Sequence, residues 1–119
     1  MRYTIKKHKE FLMAEDSPTA KCSFFVVREK PARFPGFTRY GLIASKRSFR
    51  LAVQRNRAKR LLRDWLRYNK KLMLPGMDYV FIARVAILNA DRTEGRVAMK
   101  KALRYLSHIN NDTQNAADK

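Results

Sequence analysis

Between Ser45 and Lys71 the chain reads SKRSFRLAVQRNRAKRLLRDWLRYNKK, with Lys46, Arg47, Arg50, Arg55, Arg57, Lys59, Arg60, Arg63, Arg67, Lys70 and Lys71 set against a single acid, Asp64. An arginine guanidinium is a planar fork of donors that engages phosphate bidentately or stacks on an exposed base, and lysine adds a point charge. Asn56, between Arg55 and Arg57, supplies an uncharged hydrogen bond for a sugar or base edge. The solvated face of an ordinary helix interleaves acids with such cations, and here they are missing. Like charges at this density repel one another, so the stretch calls for a polyanion.

Bond-breaking chemistry has no comparable cluster. The acids are scattered, and several stand beside basic residues, so no pair presents itself as general acid and base or as a metal clamp. His8 and His108 are far apart and have no Cys or acidic neighbour at ligand spacing. Cys22 lies in an apolar run, where a buried structural thiol is expected. Gly36, Gly41, Gly76 and Gly95 are isolated, so no phosphate-cradling glycine loop can be drawn through them. The chemistry on offer is binding.

Composition agrees. The chain has 119 residues, 27 Lys and Arg against 10 Asp and Glu, and a formal charge of +17. Its pI near 10.7 exceeds the value of about 9 that flags nucleic-acid binders. RNA, DNA or an anionic membrane surface are the candidate partners. The length suits one domain with one core, here residues 1–109, followed by a polar tail over 110–119 expected to be disordered. A lone cysteine, the absence of an apolar leader and the absence of a spanning run lead us to expect a reduced, cytoplasmic protein with no membrane role.

The elements that must present the basic stretch follow from hydrophobic period. Residues 3–15 suggest a short helix, ended by Asp16, Ser17 and Pro18. Cys22–Lys30 and Thr38–Lys46 have strand composition and are joined by a Pro/Gly loop, most simply as an antiparallel pair. From about Leu51 to Asn69 the period becomes helical: Ala58, Leu61, Leu62, Trp65 and Leu66 form an apolar stripe. Asn56, Lys59, Arg60, Arg63 and Arg67 fall on the opposite face, with Arg55 and Arg57 on its shoulders. Leu74, Pro75 and Gly76 make a turn, Asp78–Val85 reads as a central strand, and Asp91 or Thr93 caps a last helix containing Val97, Leu103, Leu106 and Ile109. The class is α/β of the α+β type. Phe24 and Phe25 alternate across the first strand, which would turn one of them away from the helices. Together with Phe11, it would make a platform for single-stranded RNA.

The run AVQRNRAKRLLR, Ala52 to Arg63, resembles the RNR signature of the bacterial ribonuclease P protein family. YGLIASKR, Tyr40 to Arg47, looks like the strand that leads into that helix, DYVFIAR, Asp78 to Arg84, like the strand that follows it, and Lys6 to Phe11 like the family's N-terminal basic stretch. The likeness spans most of residues 3–108. It departs at Phe49, Arg50 and Leu51, where the family often has a glycine, and at Glu15, near the place of a second phenylalanine.

The resemblance implies one small sheet of three to four strands with about three helices, in the order αββ(β)αβα, and a left-handed βαβ crossover. It further implies a protein that binds the catalytic RNA subunit of ribonuclease P and the 5′ leader of precursor tRNA, while the RNA with its Mg²⁺ performs the hydrolysis. On this reading Lys46, Arg47, Arg55, Asn56, Arg57, Lys59, Arg60, Arg63 and Arg67 dock on the catalytic RNA, and Lys6, Lys7, Phe11, Phe24 and Phe25 serve the leader. A structural RNA-binding protein of the ribosomal type is the alternative. A membrane-surface helix is disfavoured because strands as apolar as Phe24–Val27 and Val80–Ala83 would then be left uncovered.

Overall fold

A computed structural model describes residues 3–4, 18–31, 38–74 and 76–117 of the chain. Four strands come first: β1 (Tyr3–Thr4), β2 (Thr19–Lys21), β3 (Phe25–Pro31) and β4 (Arg39–Ile43). Helix α1 (Ala52–Tyr68) follows, then strand β5 (Met77–Ala83) and helix α2 (Arg92–Ala117), with short 3-10 turns at Lys70–Leu72 and Val85–Asn89.

The sequence MDYVFIA is β-branched and aromatic, and β5 is its product, at the centre of a five-stranded sheet of order β1-β4-β5-β3-β2. On one side β3 runs antiparallel to it, from Phe25 opposite Ala83 to Pro31 opposite Met77. On the other side β4 runs parallel, from Arg39 opposite Asp78 to Ile43 opposite Ile82.

The expected antiparallel pairing of the first two long strands is therefore corrected: β3 and β4 never touch, because β5, later in the chain, lies between them. Parallel neighbours cannot be joined by a hairpin, and α1 is the crossover between β4 and β5. The sheet also has five strands where three to four were expected. The added strands, β1 and β2, are two and three residues long, too short to show a period. Tyr3–Thr4 is strand and not the start of a helix, and the remainder of the helix expected over 3–15 lies outside the described residues, as does its contribution to the expected order and helix count.

One face of the sheet carries the core. Phe25, Val27, Tyr79, Phe81 and Ala83 point to α1 and α2, meeting Ala58, Leu62, Trp65 and Leu66 from α1 and Met99, Ala102, Leu103 and Leu106 from α2. Trp65 is the hub: the ring of Phe24 lies 5.7 Å from it and that of Phe25 6.4 Å. Gly95 lets α2 approach this indole, since a Cβ there would sit 1.9 Å from the Trp65 ring.

The ends of the helices are set locally. Leu51 is extended before α1, and the side chain of Gln54 accepts its N–H at 3.3 Å, half of a capping box because leucine has no acceptor to return. At the other end, the Asn69 amide donates to the Trp65 carbonyl and, across to α2, to that of Arg96, both at 3.0 Å. Gly76, with φ 75, takes the left-handed conformation that starts β5. Asp91 caps α2, its carboxylate accepting the Glu94 N–H at 3.0 Å. The helical backbone of α2 continues past Ile109 to Ala117, into the stretch read from composition as a tail. Cys22, expected to be buried, is half-buried and accepts the Phe24 N–H at 3.4 Å.

Candidate nucleic-acid interface

The stripe read from the helical period is what anchors α1. Ala58, Leu62, Trp65 and Leu66 are fully buried and Leu61 partly so. The opposite face turns outward: Asn56, Arg57, Arg60, Arg63 and Arg67 are exposed and Lys59 is half-buried. None of Arg57, Lys59, Arg60, Arg63 and Arg67 pairs with a carboxylate among the described residues. Asp64, the single acid of this stretch, is turned to α2, where the Arg96 guanidinium donates to it at 3.4 Å. The result is an array of cations on a packed helix, with no carboxylate paired to it among the described residues.

Lys46 and Arg47 join this array from the connection between β4 and α1, and both are exposed. Their turn is fixed by the Phe49 N–H donating to the Ser45 carbonyl at 2.9 Å and the Ser48 N–H donating to Ser45 Oγ at 3.2 Å. Phe49 is fully buried and pins the turn to the core. Arg55 has a different place from its neighbours. It is half-buried, and its Nη1 donates to the carbonyls of Phe49 at 2.8 Å and Arg50 at 3.1 Å. It ties the turn to the first turn of the helix.

The aromatic residues expected to hold the leader are not disposed as the alternation rule implied. Phe25 is fully buried against Trp65 and Phe81, so it has no free face for a base. Phe24 is half-buried and also packs on Trp65. Strict alternation fails because Ser23 and Phe24 form a bend and β3 begins only at Phe25. Lys6, Lys7 and Phe11 lie outside the described residues.

The second face of the sheet offers other groups. Residues directly opposite in a ladder share a face, so Val26 stands with Ile82 and Lys21, Arg28 with Val80 and Thr19, and Ile43 again with Ile82. Val26, Ile43 and Ile82 are half-buried, while Lys21 and Arg28 are exposed, giving an apolar strip edged by cations. Val26 and Arg28, two residues apart in one strand and so on one face, were the sequence signal for it. On the same face Arg39 is locked to Asp78, with Nε donating at 3.2 Å and Nη2 at 2.6 Å to the two carboxylate oxygens. Among the described residues no group of three or more His, Cys, Asp or Glu stands together as metal ligands. Nor is any described helix long and apolar enough to cross a membrane.

A small mixed sheet backed by two helices, one of which displays a cationic face with no paired carboxylate among the described residues, has the make-up of an α/β protein of the nucleic-acid class. The family profile described as Ribonuclease P matches residues 1–107. The chain belongs to the ribonuclease P protein family. It is similar to the ribonuclease P protein component of Pseudomonas entomophila, with 40% identity over 90 residues covering 72% of this chain and 65% of the relative. It is also similar to the corresponding component of Pseudomonas paraeruginosa, with 34% identity over 114 residues covering 92% of this chain and 82% of the relative. Among solved structures, the RNase P protein of Staphylococcus aureus shares the fold at a TM-score of 0.72 and 24% identity, covering 88% of this chain and 95% of that one. The match thus spans about 65% of the length of the Pseudomonas entomophila relative.

Proposed function

We propose that this chain is the protein subunit of a ribonuclease P, and that it assists removal of the 5′ leader from precursor tRNA by an RNA-catalysed reaction. The observation that carries the reading is the exposed face of α1. Arg57, Lys59, Arg60, Arg63 and Arg67 are held in fixed register by a helix whose other side is core, and Asp64, the acid within that helix, is engaged by Arg96. Such a face binds phosphates in a set geometry with little ordering cost, because its backbone is already rigid. Asn56 adds a neutral hydrogen bond, and Lys46 and Arg47 extend the surface beyond the helix N-terminus.

On this reading the catalytic RNA docks on α1, and the substrate leader lies along a separate surface. The second face of the sheet suits that role, with Val26, Ile43 and Ile82 for base contact and Lys21 and Arg28 for the backbone. The hydrolysis itself would fall to the RNA partner, whose bound Mg²⁺ would activate the attacking water. The chain's own part is to hold the two RNAs together and to screen their phosphates, which lowers the Mg²⁺ concentration the RNA requires.

The test is cleavage of precursor tRNA by bacterial ribonuclease P RNA at low Mg²⁺. The protein alone should cleave nothing, and adding it to the RNA should restore accurate 5′ maturation. No stimulation would sink the assignment.

A further inference from the structure

The C-terminal end of α1 holds an aromatic side chain that the basic signature does not include. Tyr68 is 65% exposed. At about 100° per residue it stands roughly 80° round the helix from Arg60, on the edge of the cationic face that looks toward α2. Arg67 precedes it, and exposed Lys71 follows one turn later.

The ring is braced from one side only. The guanidinium carbon of Arg96 lies 4.2 Å from its centroid, a cation–π contact. Arg96 is itself held twice: Nη2 donates to Asp64 Oδ1 at 3.4 Å, and its carbonyl accepts the Asn69 amide at 3.0 Å. Asn69 and Asp64 both belong to the α1 segment, so the brace closes on the helix that carries Tyr68. With Arg96 beneath one face and most of the ring in solvent, the other face is open.

A flat, pre-ordered aromatic beside a row of phosphate-binding cations matches one ligand chemistry, the face of an unpaired nucleobase whose backbone runs along those cations. The cation below the ring holds it in place before any ligand arrives, so little rotamer freedom is lost on stacking. We propose that Tyr68 is a base-stacking platform that takes an unpaired nucleobase of the RNA docked on α1. This rests on the reading of α1 as the RNA-docking face, and it adds a contact that does not depend on charge.

That difference supplies the test. Binding of ribonuclease P RNA is measured as a function of salt for the wild-type protein and for Y68F, Y68L, Y68A and R60A. Y68F keeps the π face and should bind within about twofold of wild type. Y68A and Y68L should bind roughly five- to 150-fold more weakly, the range for one lost base stack, with the salt dependence unchanged. Y68L retains bulk over Arg96 and serves as the working variant should Y68A fail to fold. Wild-type affinity in Y68L, a loss in Y68F equal to that in Y68L, or a weakened salt dependence in Y68L would each overturn the platform. R60A separates the two claims: if it changes neither affinity nor salt dependence, the docking face itself is misplaced, whatever Tyr68 does. Absence of RNA binding by the wild type would overturn both.

Discussion

The guanidinium of Arg55 donates through Nη1 to the carbonyl of Phe49 at 2.8 Å and shares the same nitrogen with the carbonyl of Arg50 at 3.1 Å. An arginine that sequence pattern places among the phosphate ligands is thereby a strut. It fastens the turn bearing Lys46 and Arg47 to the helix bearing Arg57 and Arg60, so that both groups of cations meet a ligand in one geometry. R55A should loosen this turn in the free protein. Amide hydrogen exchange at Phe49, whose N–H is bonded to the Ser45 carbonyl, should accelerate, with a stability loss of about 1 kcal/mol for the half-exposed bonds. Unchanged protection at Phe49 would leave Arg55 as a phosphate ligand like its neighbours.

Trp65 of α1 lies against Gly95 of α2, and there is no space for a methyl group between them. G95A should force α2 outward and destabilise the fold by about 1–3 kcal/mol, despite alanine's better helix propensity. The single tryptophan reports this directly: its emission should shift to the red as solvent reaches the indole, and thermal melting should fall.

Arg39 and Asp78 are a buried pair on the sheet, with side-chain exposures of 9% and 0%. Removing Asp78 takes this ion pair from a guanidinium that stays in the interior. D78A is expected to cost about 3–5 kcal/mol, measured by denaturant unfolding. R39M/D78L, which removes both charges, should recover part of that loss.

Tyr79 has its hydroxyl group raised in pKa above the ordinary tyrosine value of 10.0, first by burial and further by the nearby Glu29, against a lowering contribution from its backbone hydrogen bond at Leu74. The unfolded chain therefore loses this proton at lower pH than the folded one. The stability that Tyr79 contributes is fully present below about pH 10, its ordinary value, and is lost as pH rises through the folded value above it. Unfolding curves from pH 8 to 11 should show a falling alkaline limb, flatter in Y79F. Y79F should also be less stable at neutral pH, because the Leu74 N–H then loses its acceptor at 2.7 Å.

Much of α1 was legible in the sequence because helical phase is a local property. Ala58, Leu62, Trp65 and Leu66 had to share a side, and the arginines then had to share the other. Strand partners are not local. Nothing in Cys22–Lys30 or Thr38–Lys46 announces that Met77–Ala83 will come between them, since the competing hairpin satisfies the same propensities. Phe24 and Phe25 both turn to Trp65 for a related reason: alternation holds only inside a strand, and the strand expected from Cys22 starts three residues later, at Phe25. Arg55 and Arg57 look alike in a one-dimensional pattern. Only the folded turn shows that the first faces two carbonyls and the second faces solvent.

The central claim, that the cationic face of α1 is the surface on which RNA docks, is tested most directly by the salt dependence of ribonuclease P RNA binding in R60A and R63A. Each lost phosphate contact should reduce the slope of log K against log salt by about 0.7–0.9. Slopes flattened by that amount in each single variant, with the fold intact by thermal melting, are the expected result. Slopes indistinguishable from wild type in both variants would contradict it.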